Sequence, residues 1–150
     1  MDTPKMSAVD LTGMLPVDTA VLQIYRPGTN EPIGWEWTMA GPAHAKTVEF
    51  NNNAARKASH RDMLMEQARV NNRKWKGEDK QPEERRREFI EGIVARIVTW
   101  TPVQIGSTVY EFSEKSAVEL LLKPEMGAFV AQAVDFLIDE RAFTKDSEKP

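Results

Sequence analysis

The sequence contains no cysteine, which excludes a disulfide framework, a thiolate metal site and a thiol nucleophile. It has no apolar run approaching the roughly 20 residues that a membrane helix needs, and residues 1–16 lack the basic start and apolar centre of a secretion signal. Basic residues are not in excess, since 20 Lys and Arg face 23 Asp and Glu, a net charge of −3. That balance argues against a general nucleic-acid coat. We expect a soluble protein of a reducing, cytoplasmic compartment that does not enter a membrane.

Motifs that carry catalysis are also missing. His44 and His60 have no second histidine or paired carboxylate at the spacing that builds a metal-binding helix face. His60-Arg61-Asp62 repeats three letters of the protein-kinase catalytic loop, but the glycine-rich loop and the magnesium-binding aspartate are absent. There is no glycine-rich phosphate cradle and no nucleophilic serine elbow. The sequence therefore predicts a protein that is not an enzyme, with no catalytic, metal-binding or cofactor-binding residues.

The residues that are present suffice for one domain. Hydrophobic residues make up 41% of the 150 positions and charged residues 29%, a mixture that folds around one core and leaves a highly charged surface. Residues 1–16 and 144–150 show no convincing periodicity, so we predict flexible tails there. A short docking segment is the alternative for residues 1–16. The single domain is predicted to span residues 17–143.

The first half of this domain predicts a hairpin and a polar helix. Residues 17–40 alternate apolar and polar side chains on both sides of a turn-rich stretch, which is typical of a β-hairpin. Residues 43–76 contain no Gly or Pro and many Ala, Arg, Lys, Glu and Met, so we predict a long polar helix with weak packing. The asparagines at positions 51–53 leave open whether this helix is continuous. The apolar hairpin positions are Ala20, Leu22, Ile24, Trp35, Trp37 and Met39.

The second half, residues 82–143, is predicted to hold the main core as three helices and a small β-hairpin. Apolar residues recur at i, i+4 and i+8 from Phe89 to Val98, which favours one long helix that begins at Pro82. Ser113 is well placed to cap the next helix. The fold class is therefore α+β and mainly α, and the N-terminal hairpin either joins this core or stands apart. The predicted helices span about residues 82–98, 114–123 and 126–141, and the hairpin residues 103–112.

Tryptophans and arginines supply the candidate partner-binding residues. The two tryptophans of the first hairpin fit either core packing or an exposed aromatic patch, and exposed patches mark partner surfaces. The segment from Lys46 to Glu91 carries a net charge of +3 and the remaining residues −6. Acidic residues interleave with the basic ones there, which favours a solvated or partner-binding helix surface over a nucleic-acid site. The candidates are Trp35, Trp37, Trp75, Arg85, Arg86 and Arg87.

Short motifs follow one another over residues 18–145 in an order shared with one group of proteins. They are Leu22-Gln23-Ile24, Asn30-Glu31-Pro32-Ile33-Gly34, Ala40-Gly41-Pro42-Ala43-His44-Ala45-Lys46-Thr47, Ile97-Val98-Thr99-Trp100, Tyr110-Glu111-Phe112-Ser113, Ala117-Val118-Glu119-Leu120-Leu121, Gln132-Ala133-Val134-Asp135-Phe136-Leu137 and Arg141-Ala142-Phe143. In this order the chain resembles the tail assembly chaperones of siphophages and prophages. The motifs are packing and turn signals, so the resemblance transfers no role to any residue.

The resemblance implies a non-enzymatic function in the cytoplasm of a bacterial host. Such chaperones bind the long helical tape-measure protein and help to recruit tail-tube subunits, and a homo-oligomer is compatible with that work. An amphipathic partner helix laid in an apolar groove is a suitable binding mode. The competing interpretation is a structural subunit of the tail or neck that stays in the virion. A small nucleic-acid-binding protein is the weakest of the three.

Overall fold

The fold combines helices with two small antiparallel sheets, as seen in a computed structural model that describes residues 7–75 and 80–143. The predicted α+β, mainly α class is confirmed. Of the predicted tails, residues 1–6 and 144–150 lie outside the described residues, as do 76–79 at the end of the predicted polar helix. The strands are β1 (Thr19–Tyr25), β2 (Pro32–Ala40), β3 (Ile97–Trp100), β4 (Val103–Ile105) and β5 (Thr108–Tyr110), and the helices are α1 (Ala45–Val70), α2 (Pro82–Val94), α3 (Glu114–Leu121) and α4 (Gly127–Ile138).

The two predicted hairpins are both present. β1 and β2 pair antiparallel, and the side chains of Ala20, Leu22 and Ile24 on β1 are buried as their alternation predicts. β4 and β5 form a separate two-stranded sheet. The side-chain amide of Gln132 on α4 brackets Tyr25, accepting its N–H at 2.8 Å and donating to its carbonyl at 2.9 Å. This contact closes the end of β1 to further strand pairing.

The prediction of one helix from Pro82 through Val98 is wrong at its end. α2 stops at Val94, and β3 pairs antiparallel with β2 to make a three-stranded sheet in the order β1-β2-β3. Arg96 lies in the turn between α2 and β3 and ties it to the end of β2. Its guanidinium donates two hydrogen bonds to the carbonyl of Ala40, at 2.9 and 2.8 Å, and its own carbonyl accepts the Ala40 N–H. Burial lowers the pKa of Arg96, whose guanidinium also lies 5.4 Å from the Phe143 ring centre.

Through β3 the N-terminal hairpin joins residues 82–143 in one core. The sequence had left open whether this hairpin joins the core or stands apart. The core is therefore not confined to residues 83–143, where the main core was expected. Aromatic rings hold the junction: Trp35 lies 5.1 Å from Trp37, 5.3 Å from Trp100 and 5.6 Å from Phe129, edge to face in each case. Such pairs add about 0.5–1.5 kcal/mol each beyond the area they bury.

α1 runs unbroken for 26 residues, about 39 Å at 1.5 Å per residue. Along its whole length only Thr47 is buried, which confirms the predicted weak packing of a polar helix. The helix begins after His44, whose ring nitrogen Nδ1 accepts the Lys46 N–H at 3.0 Å. It ends at Val70 rather than at residue 76, because Asn72 takes the left-handed conformation (φ 56°) that is common just past a helix end.

The predicted cap of α3 is confirmed as a reciprocal pair. The Ser113 hydroxyl accepts the Ser116 N–H at 3.0 Å, and the Ser116 hydroxyl accepts the Ser113 N–H at 3.2 Å. We expect Ser113→Ala to lower the free energy of unfolding by about 1 kcal/mol, because the first turn of α3 loses its acceptor. Urea denaturation measures the change. Ser59→Ala, at an exposed mid-helix position of α1, is the control and should be neutral or slightly stabilising; equal losses in both variants would contradict the cap.

Gly41 follows the last residue of β2 and lies against the backbone of Val17 and Asp18, just before β1. Its N–H donates to the Asp18 carbonyl at 2.8 Å, and a Cβ there would collide with the carbonyl oxygen of Val17. We expect Gly41→Ala to cost roughly 1–3 kcal/mol in urea denaturation, since backbone must move. Gly127→Ala, where a Cβ meets nothing within 4 Å, is the matched control and should not destabilise. A Gly41→Ala protein as stable as the control would refute the close approach.

Candidate interaction surface

The outer side of α4 and the adjacent side of α2 form an apolar groove of about 340 Å³, called here the α2–α4 groove. α4 is apolar on more than one side. It buries Val130 and Ala133 in the core, yet Ala131 and Val134 also lie along its outer face. The groove is lined by Arg86, Phe89, Gly127, Val130, Ala131, Val134 and Asp135.

Two large apolar side chains stand exposed on this surface. Phe89 on α2 is 51% exposed and lines the groove, and Ile138 at the end of α4 is 73% exposed. Ile138 continues the stripe of Gly127, Ala131 and Val134, because positions spaced by 4, 3 and 4 residues lie along one helix face. A contiguous exposed apolar surface of this kind marks an interaction site.

Opposite charges lie at the sides of the groove. Arg86 and Asp135 both line it, and neither makes an ion pair within the described part of the chain. An apolar centre with a charged rim is the usual anatomy of a protein interface, in which the rim fixes the orientation of the partner. The groove can therefore hold an apolar helix face and select its direction by charge.

The other candidate arginines face elsewhere. Successive residues on an α-helix are about 100° apart, so Arg85, Arg86 and Arg87 cannot share one surface. Arg87 pairs with Glu91 at 2.9 Å and lines a second cleft, of about 480 Å³, against α1 and α3. Arg85 is exposed and lines neither. Of the three, only Arg86 belongs to the α2–α4 groove.

Of the two alternatives for the tryptophans of the first hairpin, core packing is confirmed and the exposed, partner-binding patch is wrong. Trp35 and Trp37 are 3% and 0% exposed, because β3 and α4 cover their face of the sheet with Trp100 and Phe129. In this conformation they offer a partner no surface. Trp75 is half-buried against the end of α1, beside Met65 and Ala68, apart from the groove. Its buried indole N–H has no hydrogen-bond acceptor among the described residues.

The sequence assigned Phe89 and Val134 to core faces. Val134 does pack against the core, but Phe89 is exposed, and the groove between them was missed. The one available signal was the composition of α4, which carries more apolar residues than a single buried face can use. The second cleft shows why net charge is a poor guide here. Its Lys46 and Arg87 are paired with Glu114, at 3.1 Å, and with Glu91.

Residues 7–75 and 80–143 contain no cluster of three or more His, Asp or Glu side chains placed to hold a metal ion. Among the same residues, no helix combines the length and the apolar character needed to cross a membrane.

Comparisons with protein-family models, with curated proteins and with solved structures gave no match to this chain.

Proposed function

We propose that this protein is a phage tail assembly chaperone that binds a helical segment of the tape-measure protein in the α2–α4 groove. The observation that carries the binding role is the apolar stripe of α4, flanked by the exposed Phe89 and the unpaired Arg86 and Asp135. The choice of partner comes from the resemblance in the order of sequence motifs. The protein acts without catalysis, in the cytoplasm of the bacterial host, and helps to recruit tail-tube subunits to the bound segment.

The dimensions of the surface suit a helix. α4 is 12 residues long, about 18 Å at 1.5 Å per residue, which matches some three turns of a partner helix. Apolar side chains at positions i, i+4 and i+7 of such a helix can pack between Phe89 and the α4 stripe. The tape-measure protein that the resemblance implies is long and helical, so it can offer such segments to several chaperone copies.

The ion pairs between residues 66 and 91 favour a protein partner over a nucleic acid. Arg69 pairs with Glu66, Lys80 with Glu88 at 2.6 Å, and Arg87 with Glu91. A basic side chain that already faces a carboxylate releases few counterions on a phosphate backbone. These three basic side chains, of the twelve between Lys46 and Glu91, are therefore less available to a phosphate backbone.

The β4–β5 hairpin supports the competing interpretation, a structural virion subunit. Ile105 and Val109 on this short two-stranded sheet are 47% and 56% exposed. An exposed hairpin with apolar side chains can pair with a strand of a neighbouring subunit. Washed, mature virions separate the two functions, since a chaperone leaves the particle and a structural subunit is present in stoichiometric amount.

We predict that the protein co-purifies with a co-expressed tape-measure fragment and that Phe89→Asp or Ile138→Asp weakens the complex roughly tenfold to a hundredfold. Fully burying such a side chain contributes about 1.5–3 kcal/mol, and a buried carboxylate would oppose it. Titration calorimetry of the purified complex measures the change. Val70→Asp on α1, at a position 70% exposed, is the matched control and should bind as the wild type.

Two results would contradict the proposal. If wild-type protein and every tape-measure fragment fail to associate, the partner is wrong. If the fragment binds but Phe89→Asp and Ile138→Asp bind as tightly as Val70→Asp, the groove is not the site.

A further inference from the structure

We propose that residues 7–16 form an N-terminal arm that docks in the α2–α4 groove of a second copy of this chain. The inference goes beyond the proposed function, because it concerns self-association and holds whatever partner the groove takes. It rests on the arm's exposed side chains, on the point where the arm leaves the domain, and on the match between arm and groove.

The arm carries an unusual density of exposed apolar side chains. Val9, Leu11, Met14 and Leu15 are 75%, 54%, 69% and 58% exposed. These four exposed side chains lie within seven residues and are not covered by the described part of their own chain. Water penalises this exposure, so a segment with this pattern is stabilised by contact with an apolar groove.

The arm is anchored beside the helix that bears the groove. The Val17 N–H donates to the Phe143 carbonyl at 2.7 Å, a few residues past the end of α4. With Thr12–Met14 in a 3-10 turn at about 2.0 Å per residue and the other seven residues extended, the arm spans up to about 29 Å, whereas α4 measures about 18 Å. The arm is therefore long enough to cross a two-fold interface and lie along α4 of another copy.

Local hydrogen bonds give the arm a turn of its own. The Asp10 carboxylate accepts the Thr12 N–H at 3.0 Å and the Thr12 hydroxyl at 2.6 Å, and both bonds lower the pKa of Asp10. The Leu11 carbonyl accepts the N–H groups of Met14 and Leu15 at 2.8 and 3.1 Å. A turn that is already formed, with its apolar side chains outward, fits a site on another molecule better than a site that would require it to fold back.

Charge agrees with the same pairing. Asp10 is the one charged residue among positions 7–16. Arg86 and Asp135 both line the groove without an ion pair in the described structure, so charge favours the arm orientation that sets Asp10 beside Arg86 and away from Asp135. Each copy has one arm and one groove, so reciprocal docking about a two-fold axis closes as a dimer. The docked arm and a tape-measure helix compete for the same groove, so binding of the helix requires the arm to leave it.

Disulfide trapping tests the contact directly, since the chain has no native cysteine. Full-length Leu11→Cys and Ala131→Cys proteins are mixed and oxidised. We expect a cross-linked heterodimer roughly tenfold in excess of that formed by Leu11→Cys with Met63→Cys, an exposed α1 position that serves as control. A yield no higher than the control overturns the proposal. So does a Leu11→Cys/Ala131→Cys protein that cross-links within one chain at high dilution, because the arm then binds its own groove.

Sedimentation of the full chain provides the second measurement. We expect a concentration-dependent dimer, whose dissociation constant rises roughly tenfold or more in Leu11→Asp/Leu15→Asp and in Phe89→Asp, but not in Val70→Asp. The arm substitutions lie outside the core, so loss of folding cannot explain their effect. A wild type that stays monomeric at every concentration, or a dimer insensitive to the arm substitutions, refutes the arm exchange. Neither result depends on binding of a tape-measure fragment.

Discussion

Burial of three tryptophans at the junction of the two halves is the constraint on which the structure depends. Trp37 on β2 lies opposite Trp100 on β3, and Trp35 packs edge to face against Trp100 and against Phe129 of α4. Sheet and helices therefore share one set of rings. Because these large side chains are buried in the core, a partner surface has to come from other residues.

That surface is left over from the packing of α4. One side of α4 completes the core, and the adjoining side, which shares Val130 and Val134 with the core, lies next to Phe89 and Arg86 of α2. The polar α1, which projects with little burial, adds reach but no apolar face of its own. Helix binding in the groove and arm exchange between copies both follow from the same excess of apolar surface.

The sequence correctly predicted those elements that depend on residues near one another in the chain. The alternation in residues 17–40, the Ser113 cap and the polar character of α1 were all predictable. The prediction of helix at Ile97 was wrong because its spacing from Ile93 continues the helical period. The pairing that makes it a strand involves Met39, 58 residues earlier. Burial of Trp35 and Trp37 depends on that same distant strand. The groove was not predictable, since periodicity cannot tell which apolar residues of α4 remain outside.

Iodide quenching of tryptophan fluorescence in a Trp75→Phe protein tests this account most directly. The substitution removes the one tryptophan that lies outside the junction and leaves Trp35, Trp37 and Trp100, which are at most 4% exposed. With the three rings inside the core, we expect emission at short wavelength and almost no quenching until the protein unfolds. Strong quenching of the folded variant would show that the rings face solvent, and the joined core, with the groove that depends on it, would have to be abandoned.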